Sequence, residues 1–530
     1  MAYIVIIAPK DSNPPLEVTS FKVRMPRYGS LSIASFLSSH GHKVRLFCEY
    51  TGSKIDWQLV GKADYICFSV MSFSAHRAYG MCDFARKQYG RPVIMGGSHA
   101  SVLPEEALRH ADYVIRNEGE DTLLNLIDAL ENKKRIDSLP GLSYLNDNGD
   151  PIHNPGPRFD TDLAIPLNMS VLPEYRPLHP MDALKDGLIN GIPRFTMPII
   201  QTSRGCPQKC RFCFVKHELG SSYRKRPLDV VLHEIDWYMK NFKSRYLFFV
   251  DNDLLLDSEY ACRLFESLLG KYGPKLRFFL FSRLESSKQH SLLKILERFD
   301  RATIGVGVES LNDSVLKQMC KGQTRSHVLE SFERFKKYKI YLQALFIFGG
   351  EEDTVESIRS TIDFCIQQKV FNLGMCSLND FPTRQSVLGQ PQMIPDNYFI
   401  HRDWRFFSGN FVIHFPKKMR PSELQNALRD GYRHFYRNRP ESFYQFMPFY
   451  PTIRKYVIFL KKNELGFYDK NGIRKDEKLI GRKYEHLADR VDVQIPKVSR
   501  YLEACRFFAR NLIRGVSWDF LKSIKSLPHQ

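Results

Sequence analysis

Short apolar segments alternate with helical patterns along most of this chain, and this alternation constrains the fold more than any other feature. In the first part, the candidate strands are Tyr3–Ala8, Lys43–Cys48, Asp64–Ser69, Pro92–Met95 and Asp112–Ile115. Each strand contains a continuous or nearly continuous apolar run, as is typical of parallel sheets that helices cover on both faces. The pattern predicts a doubly wound, Rossmann-like or flavodoxin-like α/β domain over residues 1–138.

The alternation breaks between residues 139 and 195 and then resumes. Asn146–Gly149 has the sequence of a hairpin turn, and residues 151–180 are rich in proline, so 139–195 is predicted to be a linker with a hairpin. The second set of candidate strands is Met197–Ser203, Tyr246–Asp251, Leu276–Phe281, Thr303–Val308, Tyr341–Phe348 and Val370–Ser377. A closed β/α barrel needs eight strands, so six predict an open, partial (β/α)6 barrel over residues 196–385.

Residues 386–530 are irregular, aromatic and basic, and we expect a mostly helical C-terminal domain. The chain has 77 Lys and Arg against 58 Asp and Glu, a net charge of +19. Residues 401–530 contain 27 basic and 13 acidic residues, so +14 of that charge lies there. Within a predicted helix over 497–524, an apolar stripe lies opposite Arg500, Arg506, Arg510 and Arg514, which is typical of helices at an anionic membrane surface. Packing of the stripe on the barrel, or a solvated basic surface without a partner, are the alternatives.

Composition excludes several protein classes. The chain is 43% hydrophobic and 25% charged, unlike disordered or collagen-like chains. No apolar run approaches the roughly 20 residues that span a bilayer, and the apolar N-terminal strand has no basic leader. We therefore expect a cytoplasmic protein. In that compartment, the 11 cysteines do not indicate a disulfide framework.

Three cysteines are clustered in a tight loop that follows a predicted strand. Cys206, Cys210 and Cys213 have C-x3-C-x2-C spacing at the carboxyl end of that strand, where active sites of β/α barrels lie. Three thiolates can ligate three irons of a cubane iron–sulfur cluster and leave the fourth iron open. A zinc site that uses His217, or a closed cluster that recruits a distant cysteine, are the alternatives.

These residues resemble the signature of the radical SAM (radical AdoMet) enzymes, in which an aromatic residue, here Phe212, precedes the third cysteine. The resemblance continues through Phe249–Asp253 after the second strand, Ser282 and Arg283 after the third, and Gly305–Ser310 on the fourth. Lys321 and Gly322 follow in the next helix and turn. The stretch Phe348–Asp353 departs from the usual pattern because it lacks the proline.

The resemblance implies a [4Fe-4S] cluster on the three cysteines, with S-adenosyl-L-methionine on the open iron. Reductive cleavage of AdoMet would give a 5′-deoxyadenosyl radical that removes hydrogen from an unactivated C–H bond. By the same resemblance, Phe212, Arg283 and Glu309 would contact AdoMet. The two charged residues could otherwise be ordinary strand-end charges. No catalytic residue is assigned beyond these.

The first domain resembles the cobalamin-binding domain of one radical SAM branch. The matching stretches are Pro26–Gly29, Phe68–Ser74, Met95–His99 with Pro104 and Glu105, and Asn117–Glu120. The resemblance, with the switch-point position of these strand ends, places cobalamin near Ser69, Ser72, Gly96 and Gly97. The Asp-x-His-x-x-Gly motif that supplies a cobalt ligand in mutases is absent, as in radical SAM relatives. A domain that keeps the fold without binding cobalamin is the alternative.

The resemblance therefore predicts a cobalamin-dependent radical SAM enzyme. We favour methylation of an unactivated carbon in a small substrate, for which the basic tail suggests a hydrophobic character. Oxidative ring formation, as in the anaerobic magnesium-protoporphyrin ester cyclases, is the alternative. A radical SAM RNA-modifying enzyme and a non-catalytic cluster scaffold are further alternatives, but no RNA-binding β-barrel module is evident, so we expect no nucleic acid. The expected partners are the substrate and a reductant such as flavodoxin or ferredoxin.

Overall fold

The computed structural model describes residues 1–12, 23–156, 159–177, 195–242, 244–380, 392–395, 398–439, 450–464, 468 and 473–474. The helix predicted over 497–524 lies outside the described residues.

The N-terminal part forms a seven-stranded sheet in the order β3-β1-β4-β5-β6-β7-β8. Its strands are β1 (Tyr3–Ala8), β3 (Lys43–Cys48), β4 (Tyr65–Ser69), β5 (Val93–Gly96), β6 (Tyr113–Ile115), β7 (Leu142–Leu145) and β8 (Pro151–His153). The short strand β2 (Val23–Arg24) pairs outside this sheet. The helices are α1 (Tyr28–Ser39), α2 (Trp57–Val60), α3 (Ala75–Tyr89), α4 (Ser98–Val102), α5 (Pro104–Leu108) and α6 (Glu120–Glu131). The five predicted strands pair in parallel in the flavodoxin-like order 2-1-3-4-5, which confirms the predicted fold class.

The predicted hairpin extends this first sheet. β7 pairs antiparallel with β6, and β8 pairs antiparallel with β7. The turn between them is built by Asn146, whose side-chain oxygen accepts from the backbone N–H groups of Asn148 at 3.0 Å and Asp150 at 2.8 Å. The segment from 142 to 153 therefore belongs structurally to the N-terminal sheet.

The second sheet has six parallel strands in the order β10-β13-β14-β15-β16-β17, as expected for an open partial barrel. The strands of this part are β9 (Phe195–Thr196), β10 (Ile199–Ile200), β11 (Ser203–Arg204), β12 (Arg224–Lys225), β13 (Tyr246–Phe249), β14 (Arg277–Ser282), β15 (Arg301–Glu309), β16 (Tyr341–Phe348) and β17 (Asn372–Ser377). The helices are α7 (Val215–Leu219), α8 (Leu228–Phe242), α9 (Ser258–Tyr272), α10 (His290–Leu296), α11 (Asp313–Gln318), α12 (Arg325–Phe335) and α13 (Val355–Gln367).

The first strand of this sheet is shorter than predicted. The backbone N–H of Thr202 donates to the carboxylate of Asp251 at 2.9 Å instead of continuing the sheet, and the hydroxyl groups of Thr202 and Ser203 donate to the same carboxylate. The chain then leaves the sheet as β11, which pairs antiparallel with β12. The predicted strand 197–203 is therefore divided into β10 and β11.

The two faces of the six-stranded sheet differ in exposure. Along β16, buried and partly exposed residues alternate strictly. The buried face carries Phe278 and Phe346 and packs under the helices, as the contact of Phe265 in α9 with Phe278 illustrates. We call the other face the inner face; Phe281, Leu345 and Ile347 lie on it and are partly exposed.

The C-terminal part packs on both preceding domains. Its helices are α14 (Pro421–Asn438) and α15 (Tyr450–Asn463). α14 lies against α13, where Gly431 allows close approach because a Cβ atom there would lie 2.4 Å from Ile362. The indole N–H of Trp404 donates to Glu106 of the first domain at 2.8 Å. Among the described helices, none is long and apolar enough to span a membrane.

Candidate active site

The three clustered cysteines lie in the connection between β11 and α7, and the backbone of this loop is held at several points. Gly205 begins the loop with a φ of 83°, and a Cβ atom there would lie 2.0 Å from the carbonyl oxygen of Ser222. The N–H of Cys206 donates to the carbonyl of Gly220 at 3.2 Å, and that of Arg211 donates to Met319 at 2.9 Å. The loop is therefore fixed against its own return strand and against the end of α11.

The thiol groups of this loop are half-buried and influence one another. Burial, together with the neighbouring sulfurs of Cys210 and Cys206, raises the pKa of Cys213 to about 11. Burial also raises the pKa of Cys206. A cationic iron–sulfur core would supply the positive charge that converts such thiols to thiolates, so the donor set fits a cluster with three protein ligands.

A mononuclear zinc site has no geometric support in the described part of the chain. No group of three or more His, Cys, Asp or Glu there is arranged to hold one metal ion. A cubane cluster does not require the three sulfurs to converge on one metal ion, because each cysteine ligates a different iron.

Arg283, a predicted AdoMet residue, lies beside the cysteine loop at the end of β14. Its guanidinium is 3.7 Å from the sulfur of Cys210 and donates to the carbonyl of Lys321 at 3.0 Å. Both oxygens of Glu285 accept from it, at 3.0 and 3.1 Å. The side chain is only 12% exposed, so this is a fixed cation at the rim of the site and not a solvated strand end.

Glu309, the second predicted AdoMet residue, lies at the end of β15 and is buried. Its backbone is left-handed, with a φ of 65°, and follows a register shift between Gly307 and Glu309. A Cβ atom on Gly307 would lie 2.6 Å from the Glu309 carboxylate, so this glycine makes the room that the acid occupies. The strained backbone is compatible with a functional position.

Lys321 is a site residue to which sequence reasoning assigned no role. Its ammonium group is 2.8 Å from the Glu309 carboxylate and 5.8 Å from the ring centre of Phe212, and the side chain is 6% exposed. The only sequence signal was its place before Gly322 in a motif of the resemblance. The structure thus brings Phe212, Arg283 and Glu309 together around the cysteine loop and adds Lys321.

The acidic motif after β13 positions the loop rather than facing open space. Asp251 accepts the Thr202 and Ser203 hydrogen bonds that end the first strand. Asp253, also buried, accepts from the hydroxyl of Ser282 at 2.8 Å. Both carboxylates therefore connect neighbouring strand ends beneath the loop.

The residues predicted to contact cobalamin lie at the carboxyl edge of the first sheet. Gly97 has a φ of 96°, and a Cβ atom there would lie 2.6 Å from the carbonyl oxygen of Val70, so its close approach is to neighbouring backbone. The hydroxyl of Ser72 is bonded to the imidazole of His99 at 3.1 Å and is buried. Ser69, Gly96 and Gly97 keep partial exposure at the same edge.

The two sites lie on facing edges of their domains. Asn117, which follows β6 at the edge of the first sheet, donates through its side-chain amide to the carbonyl of His217 in α7. Glu218, next in α7, is affected electrostatically by Arg27, which precedes α1. The carboxyl edge of the first sheet therefore abuts the helix that follows the cysteine loop.

Comparison with known families agrees with this arrangement. Residues 16–127 match the B12 binding domain, and residues 200–365 match the Radical SAM superfamily.

The relatives include proteins named as methyltransferases and as cyclases. The chain is 28% identical over 426 residues to bacteriochlorophyllide d C-12(1)-methyltransferase of Chlorobaculum tepidum, covering 79% of this chain and 84% of the relative. It is 24% identical to the hopanoid C-3 methylase of Methylococcus capsulatus, covering 60% of each chain. It is also 24% identical to the anaerobic magnesium-protoporphyrin IX monomethyl ester cyclase of Cereibacter sphaeroides, covering 65% of this chain and 55% of the relative.

Solved structures share the fold. The methyltransferase TsrM of Kitasatospora setae, with cobalamin and a [4Fe-4S] cluster bound, superposes with a TM-score of 0.57 at 16% identity, covering 72% of this chain and 76% of that chain. OxsB, with aqua-cobalamin and S-adenosylmethionine bound, gives a TM-score of 0.58 at 19% identity, and the match covers 75% of this chain and 57% of that chain. The domain matches imply a [4Fe-4S] cluster, AdoMet and cobalamin as cofactors. The chain thus contains a B12-binding domain followed by a radical SAM domain, the two domains expected of a cobalamin-dependent radical SAM enzyme.

Proposed function

We propose that this enzyme methylates an unactivated carbon of a small, largely apolar molecule. The observation that carries the proposal is the match to 84% of the length of a bacteriochlorophyllide methyltransferase. When bound, the cluster with AdoMet supplies a radical that removes hydrogen, and the cobalamin supplies a methyl carrier.

In this proposal, Cys206, Cys210 and Cys213 hold the cluster. Ser69, Ser72, Gly96 and Gly97 form the cobalamin edge of the first sheet. Of these, Ser69 and Gly96 can offer polar backbone directly, whereas Ser72 and Gly97 support the edge through His99 and Val70.

AdoMet has an amino group and a carboxylate, and the rim of the cysteine loop offers a complement to both. The Glu309 carboxylate can accept from the amino group, while the ammonium of Lys321 and the guanidinium of Arg283 can donate to the carboxylate. All three charges are largely buried, where such bonds are stronger than in water. Phe212 contributes an apolar surface beside them.

The inner face of the second sheet favours an apolar substrate. The rings of Phe248 and Phe279 stack at 5.1 Å, and Phe281 meets Phe279 edge-on at 4.9 Å. Further toward the carboxyl edge, Leu345 and Ile347 continue this surface with partial exposure. A hydrocarbon or aromatic part of a substrate would be removed from water here, which is favourable for apolar surface, and would gain dispersion contacts.

The test uses anaerobically reconstituted protein with cobalamin, dithionite, AdoMet carrying a deuterated methyl group, and bacteriochlorophyllide d as the probe substrate. Methyl transfer consumes AdoMet in two ways, so S-adenosylhomocysteine and 5′-deoxyadenosine should both form, and the product should gain the labelled methyl group. Formation of S-adenosylhomocysteine before any substrate is added would already indicate a methyl carrier. Its complete absence, with cobalamin bound, would contradict methyl transfer.

Oxidative ring formation is the second candidate, because three cyclases, at 23–24% identity, cover 64–71% of this chain. Cyclisation predicts 5′-deoxyadenosine without S-adenosylhomocysteine and a product without the label. The same incubation therefore separates the two reactions.

We further propose that the enzyme works in the cytoplasm with a flavodoxin or ferredoxin as reductant, and that its basic C-terminal quarter contacts an anionic membrane surface. Support for the last point is the net +14 of residues 401–530. Salt-sensitive binding to anionic vesicles, lost in a variant with Arg500, Arg506, Arg510 and Arg514 changed to Glu, is the expected result.

A further inference from the structure

Four charged side chains meet at the boundary between the two cofactor domains and are almost fully buried. Glu118 and Glu120 come from the first domain, and Arg204 and Arg224 come from the second. The side-chain exposures are 1% for Glu118, 4% for Glu120, 7% for Arg204 and 16% for Arg224. The resemblance had placed both glutamates in a cobalamin-domain motif, but their carboxylates face arginines.

The two arginines mark the base of the cysteine loop. Arg204 and Arg224 are paired directly across the antiparallel ribbon of β11 and β12. The connection between them, which begins at Gly205, contains all three clustered cysteines and α7. A group that fixes both arginines therefore fixes both ends of this connection.

Glu118 contacts both arginines. Its carboxylate accepts two hydrogen bonds from Arg224, at 2.5 and 2.9 Å, and lies 3.5 Å from Arg204. Arg224 also donates to the carbonyl of Leu219 at 2.9 Å, at the end of α7. The bidentate geometry fixes orientation as well as distance.

Glu120 holds the same arginine from a second direction. Its carboxylate is 2.8 Å from Arg204 and accepts from the hydroxyl of Ser32 in α1 at 2.9 Å. Arg204 also donates to Ser32 at 2.7 Å and to Gln201 at 2.9 Å. Arg204 thus joins the entry of the cysteine loop to two helices of the first domain.

The acidic side of this network is part of the cobalamin edge. Glu118 follows Asn117 immediately after β6, and β6 is the neighbour of β5, which ends at Gly96. Any displacement of Glu118 relative to Arg204 therefore changes the position of the cobalamin edge relative to the cysteine loop.

We infer that Glu118 and Glu120, through Arg204 and Arg224, are positioning residues that set the distance and orientation between the cobalamin edge and the cluster loop. A buried ion pair adds little net stability, but separating its partners leaves an uncompensated buried charge, so these pairs oppose any displacement of one domain edge from the other. The inference rests on the proposed function only in assuming that both cofactors are bound, and it holds for methylation and cyclisation alike.

The test measures the magnetic coupling between the two cofactors, which depends on their separation and needs no substrate. Holoenzyme is prepared with the cluster reduced and the cobalamin in its paramagnetic cob(II) state, and dipolar coupling is measured by pulsed EPR. Glu118→Gln should broaden or shift the coupling distribution, while iron and cobalamin contents stay within about 20% of wild type. Glu118→Asp, which keeps the charge, should return the distribution toward wild type.

The matched control is Glu464→Gln, which removes another buried carboxylate that binds Ser422 in the C-terminal part, far along the chain from both loops. It should leave the coupling unchanged. Glu120→Gln is the second variant in case Glu118→Gln fails to load the cluster, and it should also alter the coupling.

An unchanged coupling distribution in a fully loaded Glu118→Gln or Glu120→Gln variant overturns the inference. Failure of the methyl-transfer proposal would give a different result. The wild type would then form no S-adenosylhomocysteine, while the magnetic coupling between its cofactors would be intact. With the active enzyme, the variants should form 5′-deoxyadenosine within threefold of wild type but at least tenfold less product per 5′-deoxyadenosine.

Discussion

The ammonium of Lys321 lies 2.8 Å from the carboxylate of Glu309, and both groups are buried beside the cysteine loop. The lysine comes from the turn after α11, and the glutamate from a left-handed position at the end of β15. A buried ion pair at a rim of this kind places one acceptor and one donor within reach of a zwitterionic ligand.

Lys321→Met should weaken AdoMet binding without removing the cluster. Loss of a charge-assisted bond at a buried position costs about 1.5–3 kcal/mol, or roughly 10- to 100-fold in affinity. The dissociation constant is measurable by equilibrium dialysis on the reconstituted protein. Lys336→Met is the control, because Lys336 pairs with Glu333 on an exposed helix face at 2.7 Å. Equal affinity in both variants would exclude Lys321 from the AdoMet site.

Gly97→Ala should destabilise the first domain. The substitution combines a left-handed φ of 96° with a Cβ atom 2.6 Å from the Val70 carbonyl oxygen, and we expect a loss of about 2–4 kcal/mol in unfolding free energy. Gly149→Ala is a matched control, because its φ is 84° but nothing lies within 4 Å of the new Cβ atom. Urea denaturation of both variants separates backbone strain from the clash.

The same comparison addresses cobalamin binding. A larger residue at Gly97 would damage the edge itself by displacing Val70, so loss of cobalamin in such a variant has a structural cause. Equal stability of Gly97→Ala and Gly149→Ala would contradict this account.

Much of the fold could be predicted because most residues of its longer strands are apolar and because polar or turn residues mark the strand ends. The bounds of β1, β3 and β16 match the prediction residue for residue. The first barrel strand was predicted too long, since the carboxylate that ends it, Asp251, is 49 residues away from Thr202. A side chain that replaces a sheet hydrogen bond over that separation leaves no local pattern.

The site could be predicted only where a motif carried it. The cysteine spacing and Glu309 are visible in the sequence, but the pairing of Lys321 with Glu309 depends on the bulge at Gly307. Likewise, the sequence indicated that Asn117–Glu120 mattered but not that its carboxylates face Arg204. These contacts join separate elements and have no periodicity.

Stability should depend on Glu218 in a defined pH range. Burial raises the pKa of this carboxyl from 4.5 to about 7, with Arg27 opposing the shift. At this group the folded state therefore binds more protons than the unfolded state between these values, so the contribution of Glu218 to stability falls as pH rises from about 4.5 to 7 and is constant above. Glu218→Gln removes this penalty, which is at most about 3 kcal/mol.

Urea denaturation of the wild type and of Glu218→Gln at pH 5, 6 and 8 checks this. The variant should gain stability relative to the wild type as the pH rises. Parallel pH profiles would mean that the Glu218 carboxyl is as well solvated in the folded protein as in the unfolded chain.

Replacing the clustered cysteines should remove the cluster and leave the fold. Cys206, Cys210 and Cys213 lie on a loop and keep accessible surface, so each change to Ala removes few core contacts and should cost within about 1 kcal/mol of unfolding free energy. Each single variant removes one of three iron ligands, so iron content and 5′-deoxyadenosine formation should fall to background. Cys262→Ala is the matched control, since Cys262 is equally half-buried but lies in α9. Iron and acid-labile sulfide assays after anaerobic reconstitution report the outcome, and a full four-iron complement in the triple variant would mean that other residues hold the cluster.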